Sequence, residues 1–299
     1  MDRKSLARGG SGHSKRFLPL YIMFLPIAVY FLLFSYWPLI RGVIMSFQAN
    51  RLMQPRPFVG LANYVDVVRD PDFLHAIVNS LIIGGVDMAL YFGLSLVLAL
   101  AINELRVKAL RGAVQTIAYL PYLFSWAVIA GVWILVFDDQ GMVNVLLKAF
   151  GAKAIFFLAE PALARPLIIG MGVWRSIGYF ALLYSVAIVG IDPALYESAE
   201  IDGAGRLRQI GSITIPSLAD TMKVIAVLLA MGVLTHFDEM YVMQNAANKD
   251  QIRSLLLFVF ERGILQFKTG LATAGATLVM IGSLAVVAVT RKVIRYDRI

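Results

Sequence analysis

The sequence contains no cysteine, which excludes disulfide bridges, thiolate-held zinc and thiol nucleophiles. Histidine is nearly as scarce. His13, His75 and His236 stand far apart, leaving little from which to build a histidine metal site. Charge is thin as well: 15% of the 299 residues are Asp, Glu, Lys or Arg, against about a quarter in ordinary soluble domains. No G-x-x-x-x-G-K-[ST] occurs, so the chain does not cradle nucleotide phosphates in the P-loop manner. H-E-x-x-H and G-x-S-x-G are also missing, and no acid or motif frames Gly282-Ser283 and His236 as a hydrolase. The expectation is a chain that is not an enzyme and holds no metal or cofactor of its own.

What is abundant is apolar surface. Hydrophobic residues make up 59% of the chain, the composition of a polytopic membrane protein. A formal charge of +8 invites a nucleic-acid reading. The basic residues, however, sit mainly at the ends of apolar runs, which is a topology signal; membrane lipid is the expected surrounding and nucleic acid is not an expected partner. About 20 apolar residues are needed per helical span. Six such runs are found, at about 17–47 (interrupted by Pro26 and Pro38), 77–102, 114–137, 166–189, 218–243 and 271–294. The expected fold is therefore an all-α membrane protein, with residues 1–16 as a basic tail and 17–299 as one transmembrane domain. The run Leu255–Phe260 is too short to span and reads as an interfacial helix.

Six spans put both termini on one side. The tail, the turn at Asn103–Gly112, the 190–217 loop with Lys223, and the C-terminal end together carry 15 Lys and Arg, against 10 on the other side. The tail, that loop and the C-terminus are accordingly expected to be cytoplasmic. No internal repeat or second soluble domain is visible.

The longest polar interruption in the second half of the chain runs from Asp192 to Pro216. Asp192 is a good N-cap, and Pro193 suits the first helical position. Residues from Ala194 to Glu200 favour about two turns of helix, and Gly203 is a natural left-handed stop. A second helix is expected from Ala204 to Ile215, ended by Pro216.

Glu197-Ser198-Ala199, Ile201-Asp202-Gly203-Ala204 and Ile213-Thr214-Ile215-Pro216 together resemble the cytoplasmic "EAA" loop of ABC-importer permeases. Ser198 stands where that family has its first Ala, and Ile210 where it often has an aromatic residue. Phe58–Tyr64, Leu120-Pro121-Tyr122, Ser125-Trp126 and Gly141–Asn144 are similar to the branch that imports sugars and oligosaccharides, including uronic-acid-containing ones. The resemblance implies a type I importer permease whose loop between spans 4 and 5 carries a coupling helix. By that resemblance Tyr196, Glu197, Ser198, Ala199, Ile201, Asp202, Gly203 and Ala204 form the contact with an ATPase, the acids facing a basic groove that Tyr196, Ala199 and Ile201 fill. It also implies a second related permease, two ATP-binding subunits that hold ATP and Mg, and an extracytoplasmic solute-binding protein. The polar segments 48–75, 138–165 and 244–270 would meet that binding protein.

Polar side chains inside spans are costly and face a cavity or a partner. Asp87, Ser125, Trp126, Trp174, Arg175 and His236 fall at mid-depth or toward the outer half, and Asp238, Glu239 and Tyr241 near the outer end of span 5. Trp126, Trp133, Trp174 and Tyr241 offer flat faces for a sugar; interfacial belts would place aromatics there too. Arg175 and Asp87 are a candidate structural ion pair, and Arg41 and Arg175 are candidate readers of an anionic sugar. The rival reading is an ion-coupled secondary transporter working through Asp87 or His236. It would carry inverted repeats and broken helices, and the sequence displays neither.

Overall fold

The computed structural model describes residues 11–50 and 57–296. Most of the expected tail, six residues of the 48–75 segment and the last three residues fall outside this range. Among the described residues every element is helical, apart from one isolated antiparallel bridge between Gln48 and Phe58.

Helix α1 (Ser11–Phe31) runs through a π turn at Leu32–Tyr36 into α2 (Trp37–Ser46), and Leu20–Ser46 is its apolar, membrane-spanning length. Its apolar side chains are largely exposed, Met23 at 73% and Phe34 at 68%. It joins the bundle at its foot, where the Ser46 and Tyr64 hydroxyls are 2.6 Å apart. Tyr64 belongs to α3 (Ala62–Arg69). Asp70 then caps α4 (Pro71–Asn103), its carboxylate accepting from the Asp72 N–H at 3.0 Å.

The third span is not one helix, as 114–137 was expected to be. It is α5 (Lys108–Tyr119), a 3₁₀ turn at Leu120–Leu123, and α6 (Trp126–Phe137). Pro121 has no N–H to continue the ladder. Phe124 is extended, and the Ser125 hydroxyl restarts the helix by accepting from Val128 N–H. After α7 (Met142–Ala149), the long α8 (Pro161–Val189) carries Pro166 near its start without breaking.

Helix α9 (Pro193–Ile201) leads to a rod made of α10 (Arg206–Gln209), a π turn at Ile210–Thr214 and α11 (Ile215–Ser217). Pro216 is the last residue but one of this rod, which ends at Ser217, one residue beyond the expected stop. A proline is tolerated in a first turn, and the π turn before it has already shifted the ladder. The chain then bends by 63° into α12 (Ala219–Gly232). At 14 residues, α12 rises about 21 Å, short of the ~30 Å hydrocarbon core. Expected span 5 is therefore also broken, with residues 233–237 non-helical before α13 (Asp238–Met243). Next come α14 (Lys249–Ile252), α15 (Leu255–Phe260), a π turn at Glu261–Leu265, and α16 (Thr269–Val293). By length and composition five helical stretches can cross a membrane, namely Leu20–Ser46, α4, Trp126–Ala149 (α6 together with α7), α8 and α16, and six when the bent pair 206–217 and 219–232 counts as one.

Helix α15 is not interfacial. Leu257 and Phe258 are wholly buried, with the Phe258 ring 5.2 Å from that of Phe73. Six apolar residues in a row suit an element that is covered all round. The centre of the bundle is the α4–α8 pair. Around it, Tyr184, Leu218 and Ile225 pack toward the α9 end, and Ile83, Ile129, Met171 and Met240 pack at mid-depth. Gly84 of α4 rests directly on the Val233 backbone, so α4 leans on the break in span 5 and a larger side chain has no room there.

Candidate functional site

Helix α9 is built from local signals. The Asp192 carboxylate accepts from Ala194 N–H at 2.9 Å. At the other end Gly203 has φ +75°. Ala204 N–H reaches Ala199 C=O at 2.8 Å and Gly203 N–H reaches Glu200 C=O at 3.0 Å. That pair of bonds is a Schellman cap, and it requires a residue at ease in the left-handed region. The loop is thus complete in itself and presents its tip outward. Glu197, Ser198, Ile201, Asp202 and Gly203 are exposed, while Tyr196, Ala199 and Ala204 are half-buried. Tyr196 does not point with the others. Its hydroxyl is 2.9 Å from that of buried Thr214, tying α9 to the following rod. Tyr196 also lines a cleft of about 130 Å³ with Leu100 and Asn103 from the end of α4.

Ile201 and Leu207 are each 87% exposed at this tip. Among the described residues Glu197 and Asp202 make no ion pair, and Glu200 makes only a loose, exposed one to Arg206 at 3.8 Å. Leu207 was not singled out from sequence. A lone Leu between two arginines carries no periodic signal, and only its exposure beside Ile201 marks it.

At mid-depth the two broken spans meet. Trp126, Ile129 and Trp133 of span 3 share a core with Phe237 and Met240 of span 5. The expected Arg175–Asp87 pair does not form. Helix α8 turns Gly172 and Ser176, both buried, toward α4, and Arg175 lies off that face. Asp87 is buried and meets His236 instead, Oδ2 to Nε2 at 3.8 Å, while the other ring nitrogen contacts buried Glu239. Asp87 Oδ1 has no hydrogen-bond partner among the described residues. Arg175 sits over two rings, its guanidinium carbon 4.3 Å from Trp126 and 5.0 Å from Tyr122. Its Nε and Nη2 donate to the carbonyls of Phe124 and Tyr122 at 3.2 to 3.4 Å. It is a clamp on the break in span 3.

Of the aromatic faces expected for a sugar, Trp133 and Trp174 lie together with centroids 6.3 Å apart, and Trp126 lies nearby under Arg175. Tyr241 belongs to a separate group with Phe237 and Phe260. Asp238 and Tyr241 are exposed, and Ser125 serves as a helix cap. Tyr122 and Tyr179 stack at 4.3 Å and were missed, because residues 57 positions apart on two helices give no periodic signal.

The opposite end of α4 holds a third cluster that sequence reading missed. Arg253, buried, pairs with Asp72 at 2.6 Å and approaches Glu261 at 3.3 Å. Arg262 holds Asp70 and Asp72 at 2.8 and 2.9 Å, and Lys249 holds Glu261 at 2.7 Å. Asn79 bridges the backbone at Asp250 and Arg253 to the Arg165 guanidinium. Among the described residues no cluster of His, Asp and Glu is arranged to hold a metal ion.

Known proteins share this architecture. The chain is 34% identical, over 263 residues, to the polygalacturonan/rhamnogalacturonan transport system permease protein YteP of Bacillus subtilis, covering 85% of this chain and 81% of the relative. Its fold superposes with a TM-score of 0.88 on a chain of a bacterial ABC transporter involved in the import of the acidic polysaccharide alginate, at 31% identity over 95% of this chain and 98% of the other. A second structure of a bacterial alginate ABC transporter, in complex with an alginate pentasaccharide-bound periplasmic protein, gives a TM-score of 0.86 at 31% identity over 93% and 94% of the two chains. These likenesses overturn the secondary-transporter reading, even though broken spans, one of the features expected of it, are present. Residues 92–295, from mid-α4 to the end of the described chain, carry the family pattern itself, and the protein belongs to the family of binding-protein-dependent transport system inner membrane components.

Proposed function

We propose that this chain is the transmembrane subunit of an ATP-driven importer for a sugar or oligosaccharide, uronic-acid-containing ones included. Substrate arrives from an extracytoplasmic binding protein, and a second related permease completes the pathway. Two partner ATPases bind ATP and Mg and drive alternating access. Residues 17–299 act as one transmembrane domain, with the tail, the α9 loop and the C-terminus in the cytoplasm.

One observation carries this reading. The tip of α9 is rigidly capped, yet shows solvent two acids without ion pairs among the described residues and two large apolar side chains, Ile201 and Leu207. An exposed apolar pair rimmed by charge is a docking surface. Tyr196 then transmits a partner's movement through Thr214 to the rod that leads into span 5. The relatives and structural neighbours that handle pectic and alginate saccharides support the sugar assignment.

Co-purification of this chain with the ATPase and permease candidates encoded beside it tests the proposal, as wild type and as Glu197→Lys. A stable complex whose ATPase is lost from the variant is expected. Absence of any ATPase, with uptake persisting when ATP is withdrawn, would overturn it.

A further inference from the structure

Arg175 is the fifteenth of the 29 residues of α8, so it lies at the middle of a membrane span. A guanidinium there needs water or an anion. Among the described residues no carboxylate is within ion-pair reach of it. Its partners are two π faces and two carbonyls, which orient the head without neutralising it. Asp87 and Glu239, the carboxylates expected at mid-depth, are committed to His236.

The backbone beneath Arg175 has a similar requirement. Residues 120–125 leave the α-helical ladder, with Leu123 63% and Phe124 46% exposed. Irregular backbone at membrane depth persists only inside protein or along a water-filled cavity. The uncompensated cation and the opened backbone thus both place this face of span 3 on a hydrated path. Trp126, half-buried, and Trp174, 42% exposed, flank it with flat apolar faces of the kind that suit the C–H faces of a pyranose.

We propose that Arg175 is the charge-reading residue of the transport pathway, and that the substrate class is anionic: a sugar whose carboxylate is met by Nη1 of the guanidinium while its ring slides over Trp126 and Trp174. This rests on the importer reading above. Nη1, with its two N–H groups, makes no hydrogen bond among the described residues and is left to meet a carboxylate. Arginine's planar, always-charged head suits that task better than lysine's point charge. The holds on Trp126 and the Phe124 carbonyl keep it aimed, so little side-chain freedom is lost when the anion arrives.

The test uses the assembled importer in proteoliposomes, with its permease partner, ATPases and binding protein. Uptake of trigalacturonate, its methyl ester and maltotriose is compared for wild type, Arg175→Gln and Arg175→Lys. We expect wild type to import trigalacturonate. In Arg175→Gln the ratio of trigalacturonate to neutral uptake should fall about tenfold or more, and Arg175→Lys should lie between. Because the ratio is taken within one preparation, a general loss of folded protein cancels. An unchanged ratio in Arg175→Gln overturns the assignment. Loss of the partner permease from purified Arg175→Gln also overturns it, since the missing anion is then a carboxylate of that subunit. Import of maltotriose alone by wild type overturns the anionic class while leaving the importer reading intact. ATP-independent uptake of all three overturns the importer reading itself.

Discussion

The two ends of α4 lie about 50 Å apart along 33 residues, and they are built on opposite plans. At the Asp70 end a cluster of charges is answered inside the chain. Asp72 is shared by Arg253 and Arg262, and Glu261 by Arg253 and Lys249, with Arg253 and Glu261 both buried. At the Asn103 end Glu197 and Asp202 have no ion partner among the described residues, and Ile201 and Leu207 are bare. Both ends are polar and both are well ordered. The first is closed by its own residues, whereas the second is finished as a local structure and open as a surface. Charge that a chain answers itself stabilises it; charge and apolar surface left together at a capped tip await another chain.

The sharpest way to break this contrast is at the closed end. Arg253→Leu removes the cation that Asp72 and buried Glu261 share, leaving Asp72 to Arg262 and Glu261 to Lys249, a change that costs about 2–3 kcal/mol. The purified variant should lose its monodisperse peak well below the temperature at which wild type does. Glu197→Gln at the open end should move that temperature very little, since exposed charges away from a network shift stability by roughly 0.5 kcal/mol or less. Equal losses for the two variants would erase the distinction.

The converse experiment works on the open end. Ile201→Asp and Leu207→Asp should leave thermal stability unchanged. Each should weaken ATPase binding by about 2 kcal/mol, roughly thirtyfold, as expected for an apolar anchor at an interface. Binding measured with the isolated ATPase decides this. Full affinity in both variants would mean that the partner docks elsewhere.

The two ends also differ in how far they were legible in the sequence. The open end was readable because its causes are local: Asp192 caps, Pro193 starts and Gly203 stops within twelve residues. The closed end joins residues 181 and 192 positions apart, Arg253 to Asp72 and Arg262 to Asp70, and no spacing rule reports such pairs. The middle was half-legible. Asp87, Arg175 and His236 were found as polar residues in apolar runs, but they were paired wrongly. A one-residue offset on α8 decides which face Arg175 occupies, and hydropathy carries no such phase. Pro121 and the run near Val233 went unread as breaks for a related reason: apolar composition continues straight through them, so only the backbone shows that the helix stops.

A smaller effect sharpens the comparison within the open end itself. Gly203→Ala places a Cβ at φ +75°, where the surroundings are open but the backbone is strained. It should cost about 1–2 kcal/mol in the loop, read as lower ATPase affinity with intact membrane insertion. Tyr196→Phe is gentler still. It removes only the hydroxyl that meets Thr214 at 2.9 Å, worth about 0.5–1.5 kcal/mol, and leaves the Ile201 and Leu207 surface untouched. ATPase binding should therefore be normal. If the Tyr196–Thr214 contact carries motion from α9 into the rod before span 5, sugar moved per ATP hydrolysed should fall severalfold while hydrolysis continues. Should binding drop and the ratio hold, Tyr196 belongs to the docking surface, and the division between a surface that meets the partner and a link that answers it does not run between Ile201 and Tyr196.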